Sequence, residues 1–454
     1  MIRMISRQDS RPSTLARSLF ASSNCPPRVP DALFAIWRRR QPQNSCPKIG
    51  LLGLFGCGNS GNDGSLEAML IFLRRTRPDA KLVCICGARG GAPDRVARTF
   101  GVVAIPLGFP RPTNTLLRIL DRLSSKGPRL LASWLLAIRH ARSLDVLIIP
   151  GTGILDDFGE GPTGMPATLF GWCLAAKLCS TRVAFVSIGA GPIHHPLSRW
   201  LMRSAVAMAQ YRSYRDHISK AFLQSIGFDT RNDEVYPDIA FNLPVPASPR
   251  LHDTADGRLT VGVGVMTYLG WRNDSIRGAA VYAAYLEKIT KFVLWLLDQG
   301  HQVRILTGDG ADRRAVADVM AGVVSAEPNL SHGRLQTQPM VSLHDLMRQI
   351  AATDIIVATR YHNIVCALKL GKPTVSIGYA EKNDVLMVEM GLGSFCQHIE
   401  RLDVRRLTEQ FTRLAANRRT YERSIRDANL IYQEMLKQQD ARLQSLLLAS
   451  APSG

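Results

Sequence analysis

The chain is poor in acid. Across 454 residues, 37 Asp and Glu stand against 56 Lys and Arg, a formal net charge of +19. The surplus excludes an acidic, solvating chain and favours anionic partners: nucleic acid, anionic lipid or phosphorylated substrates. Part of it is local, because residues 1–48 hold eight Arg and one Lys against Asp9 and Asp31, leaving +12 on the remainder. Long apolar runs are missing too. None reaches the roughly 18 residues of a transmembrane helix. The longest candidate, Leu130–Ile138, is interrupted by Ser133 and followed by Arg139. The Arg- and Ser-rich N-terminus lacks the apolar core of a secretory signal, so residues 1–47 read as a basic, disordered leader in preference to an organellar transit peptide. The nine cysteines form no CxxC pair, and no His cluster completes a zinc pattern. Buried free thiols in a reducing, cytoplasmic setting are expected, with no metal site.

What is present is alternation. Ile49–Phe55 reads as a buried strand, followed by a Gly-rich loop and a helix from Ser65 to about Thr76, with Leu66, Met69, Leu70 and Leu73 at helical spacing. Strands follow at Lys81–Cys86, Asp145–Pro150, Arg182–Ile188 and Tyr211–Tyr214, separated by helices near 114–123, 130–142, 166–178 and 196–209; the stretch between Cys86 and Asn114 reads as irregular. Three prolines in Pro244–Pro249 mark a linker. Alternation then restarts, with strands at Leu259–Met266, Gln302–Thr307, Asp354–Ala358 and Pro373–Ile377 and a helix capped by Ser342 and Asp345. The pattern predicts two Rossmann-like lobes with parallel sheets, over 48–245 and 258–400, and an amphipathic helical tail over 401–454. Ligands of such sheets bind beyond the carboxyl ends of the strands, and with two lobes the cleft between them is the expected site.

The strand-end loops therefore carry the candidates. The loop Gly56–Gly64 permits close backbone approach and points helix amides at an anion, but it lacks the Gly-Lys-Ser/Thr ending of a Walker loop. Asp156 and Asp157 form an acidic pair after the strand Asp145–Pro150, suited either to sugar hydroxyls or a metal, or to capping alone. Arg215 stands at another strand end, and its fork suits a phosphate or carboxylate. Thr359-Arg360-Tyr361-His362 joins a fixed charge and a titrating group beside a helix start. Lys382 adds a cation after the next strand.

Taken in order, these loops resemble the polysaccharide pyruvyl transferase family. The pieces are GLFGCGNSGNDGSLEAML (53–70), DVLIIPGTGILDD (145–157), SIGAGP (187–192), YRSYRDHISKAFLQSIGF (211–228), PDIAF (237–241), ATRYHNIVCALKLGKPTVSIGY (358–379) and EKNDVLMVEMGL (381–392). The family is similar in fold to two-lobed, GT-B type glycosyltransferases. The resemblance implies transfer of the enolpyruvyl unit of phosphoenolpyruvate onto two hydroxyls of a hexose-containing saccharide, as a pyruvate ketal. It implies no cofactor and no metal. It points to Arg215 and Arg360 for the anion, with Lys382 assisting, and to His362 as general acid. By analogy, the acceptor binds the first lobe, with Asn59, Asp63 and Asp157 as candidates for its hydroxyls, and phosphoenolpyruvate the second. A free or lipid-linked acceptor is compatible, and with the latter the basic surface suits peripheral association with the anionic inner face of the plasma membrane. A nucleotide-sugar glycosyltransferase is the closest alternative. A nucleic-acid binder is suggested by charge alone, and no motif for it is present.

Overall fold

The computed structural model describes residues 46–87, 90–110, 112–124, 126–157, 161–247, 258–270 and 275–448. The expected leader, all but its last two residues, and most of the expected linker lie outside them. Seven strands make the first sheet: β1 (Lys48–Leu52), β2 (Lys81–Cys86), β3 (Val103–Pro106), β4 (Val146–Pro150), β5 (Arg182–Ile188), β6 (Tyr211–Tyr214) and β7 (Glu234–Val235). Six make the second: β8 (Thr260–Gly264), β9 (Gln302–Leu306), β10 (Leu335–Thr337), β11 (Ile355–Ala358), β12 (Thr374–Gly378) and β13 (Cys396–His398). Their orders are 3-2-1-4-5-6-7 and 10-9-8-11-12-13, and every pairing is parallel. Each order reverses once, between β1 and β4 and between β8 and β11, which is the Rossmann arrangement and the place where such sheets open a crevice. The fold is thus α/β with two Rossmann-like lobes.

Parallel strands covered on both faces need apolar side chains on both, and β4 shows it. Val146 and Ile148 join one buried cluster, Leu147 and Ile149 the other. The first cluster does not stop at the lobe: it runs from Leu51 and Leu66 through Leu243 to Leu343, Ile364 and the core of the second sheet. The lobes therefore share a continuous apolar seam. The C-terminal helix Arg418–Leu448 spans both: Asn429 Nδ2 donates to Leu368 O at 2.8 Å, and Arg442 pairs with Glu234 at 2.6 Å. Near its far end Gln439 is buried, with Nε2 donating to Ser187 Oγ at 2.8 Å and Ser213 Oγ at 3.0 Å. Ser187 has φ of 47°, a costly conformation for a non-glycine residue, where the register between β5 and β6 shifts.

Three expectations change. The helix expected from Ser65 begins at Ser60, with Asn59 as N-cap. Gly61 and Gly64 lie inside it, where glycine is disfavoured by propensity, because other chain segments press on them: an added Cβ at Gly64 would lie 2.2 Å from Leu343 Cδ1. The stretch expected to be irregular holds the helix Ala92–Phe100 and β3. The strands β10 and β13, three residues each, are too short to leave a period-two pattern. No disulfide is present among the described residues, and Cys84, Cys86, Cys173 and Cys366 are buried thiols. Among the described residues no helix is long and apolar enough to cross a membrane.

Replacing Gln439 with Ala would strand the hydroxyl of Ser187 in a buried site and leave that of Ser213 with Ser187 N as its partner. An unsatisfied buried polar group costs about 1–3 kcal/mol. A fall of that order in unfolding free energy by urea titration is expected, and an unchanged midpoint would show that the helix is not anchored there.

Candidate active site

Seven strands of the two sheets send their carboxyl-end loops into one cleft of about 280 Å³ between the lobes, Met266 and Tyr268 entering after β8. Asn59 and Asn62 follow β1, Thr152 and Asp156 follow β4, and Arg215 follows β6. From the second lobe come Gly308 after β9, Arg360 and His362 after β11, and Tyr379 and Lys382 after β12. The lobes are fastened at the cleft edge by a bridge between Asn59 and Asp309 and by Gly310 N donating to Gly58 O at 3.1 Å.

Arg215 is buried, 8% exposed, and lies flat across Gly189, where any Cβ would meet its guanidinium at 2.6 Å. Its Nη1 is 3.5 Å from Asp238 Oδ2 and its Nε 3.5 Å from Asp216 Oδ2, ion pairs too long to be good hydrogen bonds. Its Nε has no hydrogen-bond partner, and the guanidinium carbon stands 4.6 Å over the Tyr361 ring. Burial disfavours its charge, but Tyr361, Asp238 and Asp216 outweigh that and hold its pKa above the ordinary value. The result is a fixed cation that is charge-balanced but not saturated with hydrogen bonds.

Arg360 behaves differently. It is the N-cap residue of the helix Tyr361–Lys369, and its Nε and Nη2 grip Asp312 at 2.8 Å each. Asp312 is fully buried and also accepts from Thr267 N at 3.0 Å. Two of the five donors expected for the anion are thus committed to the protein, which fixes the side chain at the cleft wall. Lys382 Nζ sits 5.6 Å over Tyr361 and 5.1 Å over Tyr379. Burial raises the Tyr379 pKa, but Lys382, Arg360 and Arg215 outweigh it and draw the phenol below its ordinary value.

His362 keeps 15% of its side-chain surface, and its Nε2 is 3.8 Å from Asp238 Oδ2 with no hydrogen bond. Burial, aided by Arg215, Lys382 and Arg360 against the pull of Asp238, pushes its pKa down to about 4. The imidazole is therefore neutral at neutral pH. The expected acid is held without its proton chiefly by burial, with three nearby cations adding to the effect.

The other expected residues divide. Asn59 lines the cleft, but its Oδ1 caps the helix, accepting from Gly61 N at 3.0 Å and Asn62 N at 3.3 Å. Asp63 turns away to Gly56 N at 2.7 Å, and burial raises its pKa. Asp157 caps a neighbouring turn, its Oδ2 accepting from His194 N at 2.8 Å and His195 N at 2.9 Å. Its neighbour Asp156 lines the cleft instead. Two acids were not foreseen. Asp238, behind both Arg215 and His362, lay in the quoted PDIAF piece, and Asp312 ended the acid-rich Asp309–Asp312 loop; a Pro-Asp before a short turn reads as a cap and nothing more. Among the described residues no group of three or more His, Cys, Asp or Glu is disposed to hold a metal. Another cavity, of about 380 Å³, has an apolar lining that includes Trp134, Phe170 and Leu174 and no titratable group.

Two parallel-sheet Rossmann-like lobes with a cleft at their strand ends define a two-lobed, GT-B-like fold. The model of the polysaccharide pyruvyl transferase family matches residues 59–381, and the chain belongs to that family. No curated protein matches it in sequence. Among solved structures it is similar to Staphylococcus aureus MnaA with UDP, at TM-score 0.53 and 14% identity over 84% of this chain and 90% of that one. It is also similar to the Neisseria meningitidis UDP-GlcNAc 2-epimerase bound to UDP-GlcNAc, at TM-score 0.52 and 14% identity over 86% and 100%. The Methanocaldococcus jannaschii UDP-GlcNAc 2-epimerase gives 0.53 and 10% over 80% and 92%. These likenesses are of fold.

Gly61 is the sharpest steric test of the site. An added Cβ would lie 1.9 Å from His362 Nδ1, so Gly61→Ala must displace the ring. Misplacing a catalytic group by about 1 Å costs on the order of 10² in rate. Turnover should fall by about that factor, and the overpacked contact should also cost about 1–3 kcal/mol of stability; a folded, fully active variant would remove His362 from the reacting centre.

Proposed function

We propose that the enzyme transfers the enolpyruvyl group of phosphoenolpyruvate to two hydroxyls of a hexose in a cell-surface or exported polysaccharide, or in its lipid-linked precursor. The observation carrying this reading is the convergence of Arg215, Arg360, Lys382 and a proton-poor His362 on one small cleft. Phosphoenolpyruvate carries a carboxylate and a phosphate, and fixed cations in a low-dielectric cleft stabilise both the bound ligand and the departing phosphate.

The proton economy follows from the electrostatics. Burial suppresses the imidazolium first and the three cations add to it; the arriving anion offsets the cations and pairs with the charged ring, so His362 gains a proton as the donor binds. It then gives that proton to the vinyl carbon, which becomes the methyl group, and the neighbouring carbon becomes an oxocarbenium centre. The first sugar hydroxyl adds there and its proton returns to His362. Phosphate leaves with its bonding electrons, and the second hydroxyl adds, its proton leaving with the phosphate. Asp238, within reach of both Arg215 and His362, holds the imidazole ready to be recharged; Asp156 is better placed than Asp157 to meet a sugar hydroxyl.

The test is incubation with phosphoenolpyruvate and a panel of hexosides, read by mass spectrometry and by phosphate release. A product heavier by one pyruvate less one water is expected. Release of a nucleotide from UDP-sugars instead would overturn the reading in favour of a nucleotide-sugar glycosyltransferase. His362→Ala should lower turnover by roughly 10²–10⁴, the usual worth of a positioned acid, while donor binding persists. Proton uptake gives a second check. Above about pH 4 the free imidazole is neutral. Donor binding must then take up a proton, and affinity must weaken as pH rises through the pKa of the complex. Calorimetry in buffers of different ionisation enthalpy should show that uptake, and its absence in wild type would remove the coupling.

A further inference from the structure

Seven of the large apolar side chains that stand exposed fall within one short stretch: Phe109, Leu116, Leu117, Ile119, Leu123, Leu131 and Leu135. Leu116 and Leu123, on the helix Thr115–Leu123, keep 72% and 76% of their surface in solvent. Leu131 and Leu135 are one turn apart on the next helix, Gly127–Ala141, and keep 56% each. Scattered single leucines on a surface mean little; a clustered set on adjacent helices marks an interaction face.

Charge decides what the face meets. Residues 115–141 carry Arg118, Arg122, Lys126, Arg129 and Arg139 against one acid, Asp121, which is paired with Arg129 at 3.2 Å. Basic residues interleaved with exposed leucines are the pattern of a helix that lies in the plane of an anionic lipid interface. A second copy of this chain fits poorly, because a two-fold contact sets the same patch against itself and brings like charges together. The basic segment 1–48 fits poorly for the same reason.

We propose that the Thr115–Leu123 and Gly127–Ala141 helices form a membrane-docking face that seats on an anionic bilayer. The surface lies close to the chemistry. A cavity of about 520 Å³ is lined by Lys126, Arg129 and Leu54, and Leu54 also lines the cationic cleft. A seated enzyme thus holds its cleft one cavity away from the lipid headgroups. The proposal is independent of the reaction catalysed, and its test reads lipid binding alone.

The test uses the full chain with vesicles of phosphatidylcholine, with and without phosphatidylglycerol. Wild type should sediment with the anionic vesicles and not with the neutral ones. The double variant Leu116→Gln, Leu123→Gln changes no formal charge and, at exposed positions, should melt like wild type. Its affinity for anionic vesicles should fall roughly tenfold or more, since apolar burial contributes to such binding alongside charge. The control Leu430→Gln, Ile431→Gln, exposed elsewhere at 60% and 63%, should bind as wild type does. Failure of wild type to bind, or equal binding by the Leu116, Leu123 variant, would overturn the proposal. So would a variant whose altered property is its mass in sedimentation velocity, which would make the face a protein interface.

Discussion

The site depends on one close contact between the lobes. The first turn of the helix Ser60–Thr76 meets the first turn of the helix Tyr361–Lys369 with no side chain between them at Gly61, so the His362 ring packs against bare backbone. Everything around that contact serves to keep it in register. Asn59 caps the one helix and bridges to Asp309 beside it, and Asp312 clamps Arg360 at the start of the other. The apolar seam behind, from Leu66 to Leu343 and Ile364, supplies burial that the two polar fastenings could not.

Charge is organised around the same point. Two buried carboxylates, Asp238 and Asp312, stand behind Arg215 and Arg360 and balance them without covering them. Burying an unpaired charge is expensive, so a cationic cleft requires such acids in the protein behind it. The balance is asymmetric. Asp312 takes two short bonds from Arg360, whereas Asp238 leaves Arg215 at 3.5 Å with an unpartnered Nε. Arg360 is the fixed wall and Arg215 the more available grip. His362 lies at the same point, and its burial, aided by Arg215, Lys382 and Arg360, holds the imidazole neutral.

Chain order alone carried the architecture. Alternating apolar strands and amphipathic helices leave a strong local signal, since a buried parallel strand such as Val146–Pro150 must be apolar throughout and a covering helix must show a stripe. The strand-end loops were legible for the same reason, because the end of such a strand is where the pattern breaks. That located Arg215, Arg360, His362 and Lys382, and the structure brings all four into one cleft. The ordered run of loop motifs also marked the family, which the match over residues 59–381 bears out.

Only the tertiary structure decided which polar side chains face the cleft and which hold the loops. Asn59, Asp63 and Asp157 share the composition of binding residues, yet a carboxylate or amide beside a turn has backbone amides within reach, and Asp63 and Asp157 spend themselves on those. Gly61 and Gly64 read as loop residues because glycine disfavours helices locally; the need for them lies in His362 and Leu343, some three hundred positions away. Asp238 and Asp312 gain their meaning only from the cations folded against them. The sequence determined the sheets, the order of the loops and the residues with the right chemistry, because those are local or periodic properties of a chain. Which of those residues meet, and with what proton, rests on contacts between distant segments, and these come into being only when the two lobes close on their shared seam.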